Sequence, residues 1–441
     1  RNGTPLRHDA PTLAGEMRKA GYLPMLFGYT DTSRDPRVHH PNDPAVQTYE
    51  YHMADFHEML EMRLEMSYPW RSHLMNKGYT FDDYWDLYKP VSPTGGAPRL
   101  NDPAPYRAED SDTALLTNRT LEALDFQTGT DWFAHVTYIR PHPPLVAPAP
   151  FNRMFDPATL PNPDRTQENA ATIARHPYYD AFFSEPSNTG LYYGFDGRMG
   201  AMDMARAKEL RALYFGLTRE VDDHLGRILD WLDATGQADD TLVILTADHG
   251  EMLGDHWQWG KESFHEGSLH IPLIIRDPRR PNRAGQVVEA FTESVDIAPT
   301  ILDWIGQTAP AAMNGRSVLC FLDGTAPADW RTYAFAEIDI GNPVKATRFQ
   351  RVMGLDETSA NLAVLRDERF KLVHFNGGVS PLLFDLVQDP GEHRNCAQDP
   401  EMQDVMRRMM ATMLDHRMRH ADRTLSSMAV TPDGLKTAIP V

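Results

Sequence analysis

The feature that most constrains the fold is a repeated succession of amphipathic helix, glycine and continuous apolar run. The longest helical pattern spans residues 204–234, where apolar side chains recur at steps of three and four and Gly236 is placed to end the helix. The apolar run Thr241–Ala247 follows and is typical of a strand covered on both faces. Similar successions occur at 12–28 and 111–139. The sequence therefore predicts an α/β fold with a doubly wound, mostly parallel sheet flanked by helices, in which Thr241–Ala247 is a central parallel strand.

The pattern changes after Gly306, where short strand patterns at 368–375 and 381–387 favour a smaller antiparallel unit. A Met-rich helical pattern spans 404–420, and we interpret its methionines as core or oligomer contact rather than as a ligand site. We expect three parts: an α/β catalytic domain at 1–310, a smaller C-terminal α+β subdomain at 311–402, and a helix and tail at 403–441 that contribute an oligomer contact.

Composition excludes several classes of function. Of 441 residues, 41% are hydrophobic and 24% are charged, which is typical of globular proteins, and no apolar run reaches the ~18 residues of a membrane-spanning helix. The 62 Asp and Glu against 43 Lys and Arg give a net charge of −19, which disfavours nucleic acid or an anionic membrane as a partner. Two cysteines outside any C-x-x-C pair favour a reducing, cytoplasmic compartment. An anionic substrate would need a metal ion or a few cations to invert the local field.

The segment from Leu245 to Lys261 carries the most informative candidates. Asp248 and His249 follow the predicted central strand at its carboxyl end, where open α/β sheets place their sites. A carboxylate beside an imidazole could supply two ligands to a divalent cation, and a purely structural polar turn is the alternative. Lys261 could neutralise a transferring sulfuryl or phosphoryl group, and a solvated surface lysine is the alternative.

A second candidate lies in the motif R-P-H-P-P, where His142 is fixed among prolines directly after a predicted strand. It is interpreted either as a positioned acid or hydrogen-bond donor to a leaving group, or as an incidental histidine in a rigid loop. His265 and His270 are five residues apart and so do not form the helical zinc motif H-E-x-x-H. No Gly-rich phosphate loop and no G-x-S-x-G motif is present, which weighs against NTPases and serine esterases.

Taken in order, these segments resemble the sulfatase branch of the alkaline phosphatase superfamily. The resemblance is carried by T-A-D-H-G-E with G-K following, E-S-V-D-I-A-P-T-I-L, and P-L-L-F-D-L-V-Q-D-P-G-E-H-R-N. Residues 28–37 (G-Y-T-D-T-S-R-D-P-R) and 138–144 (Y-I-R-P-H-P-P) are most similar to phosphonate monoester hydrolases and related arylsulfatases. The resemblance implies an alkaline phosphatase/sulfatase-like fold, a homodimer or homotetramer, a small anionic ester as substrate, and one divalent metal ion. Calcium and manganese are expected first, with magnesium and zinc as alternatives.

The resemblance also implies a role for each matching residue: metal ligands Asp248 and His249, catalytic contacts Lys261 and His142, and substrate-pocket residues Asn2 and Tyr29. Asp31 departs from the family pattern and is a further candidate substrate-binding residue. Many arylsulfatases carry G-K-W-x-H where this chain has G-Y-T-D, so a lysine and a histidine of that motif are replaced. Phosphonate hydrolases carry Thr where Asp31 stands. Because an ionised Asp31 would repel a dianion more than a monoanion, we expect a preference for singly charged substrates.

The family nucleophile is a formylglycine made from the cysteine of a C-x-P-x-R or S-x-P-x-R motif, and neither Cys320 nor Cys396 lies in that context. We therefore expect the formylglycine motif, an acidic metal ligand and the first βα unit to lie upstream of Arg1. The predicted function is metal-dependent hydrolysis of sulfate monoesters of the arylsulfatase type, with overlapping hydrolysis of phosphonate monoesters and phosphodiesters. The alternatives are a primary phosphonate monoester hydrolase or phosphodiesterase, and a non-catalytic sulfatase-like binding subunit. A phosphoglycerate mutase or alkaline phosphatase shares the predicted sheet but should show more metal ligands.

Overall fold

A computed structural model describes residues 4–64, 66–127, 129–187, 190–421, 428–431 and 434–437. The chain divides into two compact units: a large unit of residues 1–286 and 339–360, and a small unit of residues 287–338 and 361–441. The helices are α1 Leu13–Lys19, α2 Tyr68–Asn76, α3 Asp112–Asp125, α4 Gln167–Ile173, α5 Pro177–Phe183, α6 Met204–Ala234, α7 Glu266–Leu269, α8 Ile297–Trp304, α9 Leu319–Leu322, α10 Arg348–Met353 and α11 Gln403–His420. The strands are β1 Leu23–Gly28, β2 His57–Glu61, β3 Trp132–Val136, β4 Val243–Thr246, β5 Leu273–Arg276, β6 Ala334–Asp339, β7 Asn361–Arg366, β8 Phe370–Phe375, β9 Leu382–Asp385, β10 Met428–Thr431 and β11 Gly434–Thr437.

The large unit contains a three-stranded parallel sheet with the order β2-β1-β3. Strands β1 and β3 and the flanking helices confirm the predicted α/β class. Strand β2 was not predicted, because the sequence H-E-M-L-E shows no alternation of apolar and polar residues. Since β1 and β3 are parallel, the loops that follow them leave from the same edge of the sheet.

The core of the large unit forms around β1. Met25 and Phe27 of this strand are buried with Trp70 of α2 and Leu116 of α3 in one apolar cluster. Burying a side chain of this size contributes ~2–3 kcal/mol relative to leaving it exposed. The cluster therefore fixes the strand whose carboxyl end carries candidate substrate residues.

Helix α6 has the bounds that the amphipathic pattern predicts. It begins after Asp203, whose side chain accepts a hydrogen bond from the backbone N–H of Arg206, and it ends before Gly236, which is left-handed at φ 71°. The indole of Trp231 donates to the Asp125 carboxylate at 2.7 Å, which ties α6 to α3.

The prediction that Thr241–Ala247 is a central parallel strand is wrong. Within the described residues β4 pairs with β5 in a two-stranded antiparallel ladder, and both strands are partly exposed; the side chain of Ile274 is 59% exposed. A continuous apolar run indicates that a segment favours burial, but it carries no information on which strand pairs with it or in which direction. The candidate ligands still follow the carboxyl end of β4, as predicted.

The small unit contains a four-stranded sheet with the order β6-β7-β8-β9, in which β7–β8 and β8–β9 are antiparallel, as predicted. The interpretation of the Met-rich helix as core is confirmed, because Met406, Met409 and Met413 of α11 are buried in one cluster with residues of this sheet. The last two strands, β10 and β11, form an antiparallel pair. No helix in the described ranges is long and apolar enough to cross a lipid bilayer.

Candidate active site

The loop that follows β4 carries Asp248 and His249. The next residue, Gly250, donates its backbone N–H to the Ser268 carbonyl at 2.9 Å, and a Cβ added there would lie 2.1 Å from the Gly267 carbonyl oxygen. Only glycine fits so close an approach of two backbones. The loop is therefore anchored immediately beside both candidate ligands.

The side chain of His249 is held in one tautomer. Its Nδ1 lies 2.8 Å from the Gly250 carbonyl, and since a carbonyl only accepts, Nδ1 carries the hydrogen and Nε2 keeps the lone pair. That Nε2 is 2.8 Å from Nζ of Lys261 and 3.3 Å from Oδ2 of Asp248. Burial, with a further contribution from Lys261, lowers the pKa of His249, which keeps the imidazole neutral.

The position of Lys261 depends on a buried carboxylate. Oε1 of Glu251 accepts hydrogen bonds from the backbone N–H of Leu253 at 3.1 Å and of Gly260 at 2.6 Å, and so joins both ends of the intervening loop. Burial raises the pKa of Glu251, while these backbone donors and Lys261 oppose the rise. The end of the loop is therefore fixed at Gly260, next to Lys261, whose side chain reaches His249.

The same loop contains three non-glycine residues in the left-handed region: Leu253, His256 and Trp257, with φ of 50°, 52° and 58°. Such conformations cost about 1 kcal/mol or more each and persist only where the surroundings impose them. Arg211 of α6 supplies part of that constraint, because it donates to the Leu253 carbonyl at 2.8 Å and to the Asp255 carboxylate at 2.6 Å. The conformation of the loop is thus set by tertiary contacts.

His142 lies in the loop that follows β3. Its Nδ1 is 2.6 Å from the Pro143 carbonyl, so in the neutral ring Nε2 again carries the lone pair. Burial lowers the pKa of His142, and Lys261 and His249 lower it further, whereas the Pro143 carbonyl opposes them. Lys261 and His249 therefore lie close enough to this ring to act on it electrostatically.

Tyr29 and Asp31 follow β1. The strand ends at Gly28, where φ is 113° and a Cβ would lie 2.6 Å from the Thr137 carbonyl oxygen, so glycine is required for the turn. Burial raises the pKa of Tyr29, and the negative charges of Asp248 and Asp31 raise it further, so the hydroxyl stays neutral. Partial desolvation raises the pKa of Asp31. The positive charge of Lys261 lowers this pKa, and the negative charge of Asp248 raises it further.

Some of the candidate residues are in contact with one another, and others are only near enough to interact electrostatically. The structure brings Asp248, His249 and Lys261 into direct contact, and it places His142, Tyr29 and Asp31 within electrostatic range of them. Asn2, the remaining candidate, lies outside the described residues.

Sequence reasoning missed Tyr214, which lies on α6. Burial raises the pKa of Tyr214, and the charges of Glu251 and Asp248 raise it further, so this phenol lies close to the loop of the candidate metal ligands. In the sequence it falls within the apolar register of a long helix, where an aromatic residue is indistinguishable from core. No local motif could have found it.

Comparison with known proteins identifies the family of the chain. The sulfatase family matches residues 1–307, and the family described as N-sulphoglucosamine sulphohydrolase, C-terminal, matches residues 254–419. The chain is 37% identical over 439 residues to a multifunctional alkaline phosphatase superfamily protein, PehA, of Trinickia caryophylli, covering 99% of this chain and 84% of that protein.

Two solved structures share the fold throughout. The phosphonate monoester hydrolase SpPMH of Silicibacter pomeroyi matches with a TM-score of 0.94 and 53% identity, covering 99% of this chain and 85% of its own. The phosphonate monoester hydrolase of Agrobacterium radiobacter matches with a TM-score of 0.93 and 39% identity, covering 100% of this chain and 86% of its own. These matches show that the chain belongs to the sulfatase family of ester hydrolases, within the alkaline phosphatase superfamily.

Proposed function

We propose that the protein is a metal-dependent hydrolase of singly charged esters of phosphorus and sulfur, with phosphonate monoesters as the first substrate class and aryl sulfates and phosphodiesters as overlapping ones. The observation that carries the proposal is the convergence of Asp248, His249 and Lys261 in one loop, with His142 within electrostatic range of Lys261 and His249. The 53% identity to a phosphonate monoester hydrolase over nearly the whole chain supports our choice of phosphonate esters ahead of the sulfate esters that the sequence alone suggested.

The residues present fit a divalent cation. Nε2 of His249 keeps its lone pair because Nδ1 donates to the Gly250 carbonyl, which is the arrangement that imidazole ligands adopt. The Asp248 carboxylate lies 3.3 Å from that nitrogen and is largely exposed. A mixed oxygen and nitrogen donor set suits calcium, manganese, magnesium or zinc. When bound, the ion would supply Lewis-acid stabilisation of negative charge at the reacting phosphorus or sulfur centre.

Lys261 would bind the non-bridging oxygens of the ester. Lys261 follows directly on Gly260, which the Glu251 carboxylate anchors, so the ammonium is carried by a fixed loop before the substrate arrives. A cation fixed in advance stabilises the negative charge that develops on these oxygens without the cost of reorganising water.

His142 would donate a proton or a hydrogen bond to the leaving oxygen. In the neutral ring Nε2 is an acceptor, because Nδ1–H is used by the Pro143 carbonyl. Donation therefore requires the imidazolium form. A bound anionic ester would favour that form, since nearby negative charge raises the pKa of a histidine.

Neither cysteine has the surroundings of the nucleophile. The thiol of Cys396 is buried and its sulfur donates to the Leu383 carbonyl at 3.2 Å, while burial raises its pKa to about 11. Cys320 lies on α9, and burial raises its pKa as well. The proposed nucleophile is therefore a formylglycine that neither of these cysteines provides.

The substrate assignment is tested with full-length protein and four nitrophenyl esters: a phenylphosphonate, a sulfate, a phosphodiester and a phosphate monoester. We expect kcat/KM to be highest for the phosphonate monoester, measurable for the other two singly charged esters, and lowest for the dianionic phosphate. Highest activity on the phosphate monoester would overturn the proposed substrate class. Tight binding of all four esters with no turnover would instead support a non-catalytic binding subunit.

A further inference from the structure

The guanidinium of Arg140 is buried beneath the loop that carries His142. Only 3% of this residue is exposed, and each of its three guanidinium nitrogens has a polar partner. Nε lies 3.2 Å from the Asp112 carboxylate, and Nη2 donates to the Tyr106 hydroxyl at 3.2 Å. Nη1 donates to the Pro144 carbonyl at 3.0 Å and approaches the His142 carbonyl at 3.5 Å.

The loop needs a donor of this kind because of its sequence. Three of its five residues, Pro141, Pro143 and Pro144, have no backbone N–H, and the N–H of His142 donates to the Ile139 carbonyl at 2.9 Å. The loop therefore has more carbonyls to satisfy than N–H groups of its own. A planar guanidinium with five donors can reach two of these carbonyls at once, which a lysine ammonium on a flexible stem cannot do in the same geometry.

The buried charge of Arg140 is balanced from helix α3. Burial alone would lower the pKa of Arg140, but the Asp112 carboxylate at the start of α3 outweighs it, so the guanidinium stays charged. Asp112 is itself almost fully buried, and its Oδ1 accepts the backbone N–H of Thr113. The pair thus connects the His142 loop to the N-terminus of a helix packed in the core.

We infer that Arg140 is a positioning residue for His142: its guanidinium, paired with Asp112 and Tyr106, holds the proline-rich loop so that the imidazole faces the site. This inference rests on the proposed function, because it concerns the group that assists departure of the leaving oxygen. Arg140 acts through the loop, since its recorded hydrogen bonds are to the carbonyls of that loop and to Asp112 and Tyr106.

The test uses Arg140→Lys in the full-length protein, with His142→Ala as the reference and Arg331→Lys as the matched control. Arg331 is also a largely buried arginine paired with a buried aspartate, Asp296, and its second ion-pair partner is Glu293. The substrates are phosphonate monoesters with a nitrophenyl and an alkyl leaving group, because only the poor leaving group depends strongly on proton donation.

Arg140→Lys is expected to lower kcat for the alkyl ester about 10-fold more than for the nitrophenyl ester, while KM changes by less than about 2-fold. In the His142→Ala background it should cause almost no further loss, because both changes act on one group. Arg331→Lys should show neither effect. Equal losses on both esters, or losses that multiply fully in the double variant, would overturn the inference.

Two further measurements keep the test decisive. If Arg140→Lys fails to fold, Tyr106→Phe removes a single hydrogen bond to the guanidinium and should show a smaller loss with the same dependence on leaving group. A crystal structure of whichever variant folds reports the His142 loop independently of activity, and an unmoved imidazole would contradict the inference. If the wild-type protein hydrolyses none of the esters, the proposed function fails, but the crystal structure still tests the positioning role.

Discussion

Nζ of Lys261 lies 2.8 Å from Nε2 of His249, the ring nitrogen that keeps its lone pair because Nδ1 donates to the Gly250 carbonyl. The same lone pair is the one that a metal ion would take. The proposed metal ligand His249 and the proposed substrate-binding residue Lys261 therefore belong to one loop. Measuring metal content and turnover in parallel should distinguish the loss of one residue from the loss of the other.

The first prediction concerns the metal. Dialysis against a chelator should lower kcat at least about 100-fold, and calcium or manganese should restore it. His249→Ala should lower the metal bound per chain, measured by mass spectrometry of the elements, because one of the two ligands in this loop is lost. His270→Ala, at a side chain that is 80% exposed, is the control and should keep the metal. Full activity of metal-free protein would exclude metal dependence.

The second prediction concerns charge selectivity. Asp31 interacts with Lys261 and Asp248, so its negative charge adds to the repulsion of an anionic substrate. Asp31→Asn should raise kcat/KM for a dianionic phosphate monoester about 10-fold relative to a phosphonate monoester. Asp9→Asn, at an exposed carboxylate, should leave the ratio of the two rates unchanged. An unchanged ratio in Asp31→Asn would show that this carboxylate does not face the substrate.

The third prediction concerns stability and pH. Burial, and next the charge of Asp112, raises the pKa of Glu220 to about 7. Between its ordinary pKa and about 7 the folded protein keeps a proton that the unfolded chain has lost, so the free energy of unfolding falls as pH rises through that window and stays lowered above it. Glu220→Gln should match wild type near pH 4 and be more stable by up to about 3 kcal/mol above pH 7.

Urea unfolding of wild type and Glu220→Gln at a series of pH values measures this difference directly. Glu209→Gln, at a partly exposed carboxylate on the same helix, is the control and should show no growing gain with pH. A constant difference between wild type and Glu220→Gln at every pH would mean that the pKa of Glu220 is the same in the folded and the unfolded chain, which would contradict the prediction.

Some elements of the fold could be predicted from local sequence signals, and others could not. The bounds of α6 follow from its apolar period, its Asp203 cap and Gly236, all of which are local signals. The antiparallel pairing of β4 with β5 could not be predicted, because the apolar runs that form them report burial preference and not the identity of a partner. Strand β2 was not predicted because its sequence has no strand pattern. Its conformation depends on pairing with β1.

The identity of most candidate site residues could likewise be predicted from the sequence, but their arrangement in space could not. Asp248, His249, Lys261 and His142 could be chosen from motifs, because their spacing along the chain resembles that of a known family. Their convergence could not be derived from local propensity, since it needs a loop with left-handed residues that Glu251 and Arg211 hold by tertiary contacts. Tyr214 and Arg140 were missed because neighbours distant in sequence give them their importance.

The central claim is that Lys261 and His142 act on an anionic ester, and steady-state kinetics of full-length Lys261→Ala and His142→Ala with a phosphonate monoester and an aryl sulfate test it most directly. Each variant should keep the circular dichroism spectrum of wild type and lose about 100-fold or more in kcat, since one charge-stabilising or proton-donating group is removed. Lys19→Ala, at an exposed lysine, should turn over normally. Wild-type turnover by both Lys261→Ala and His142→Ala would contradict the account.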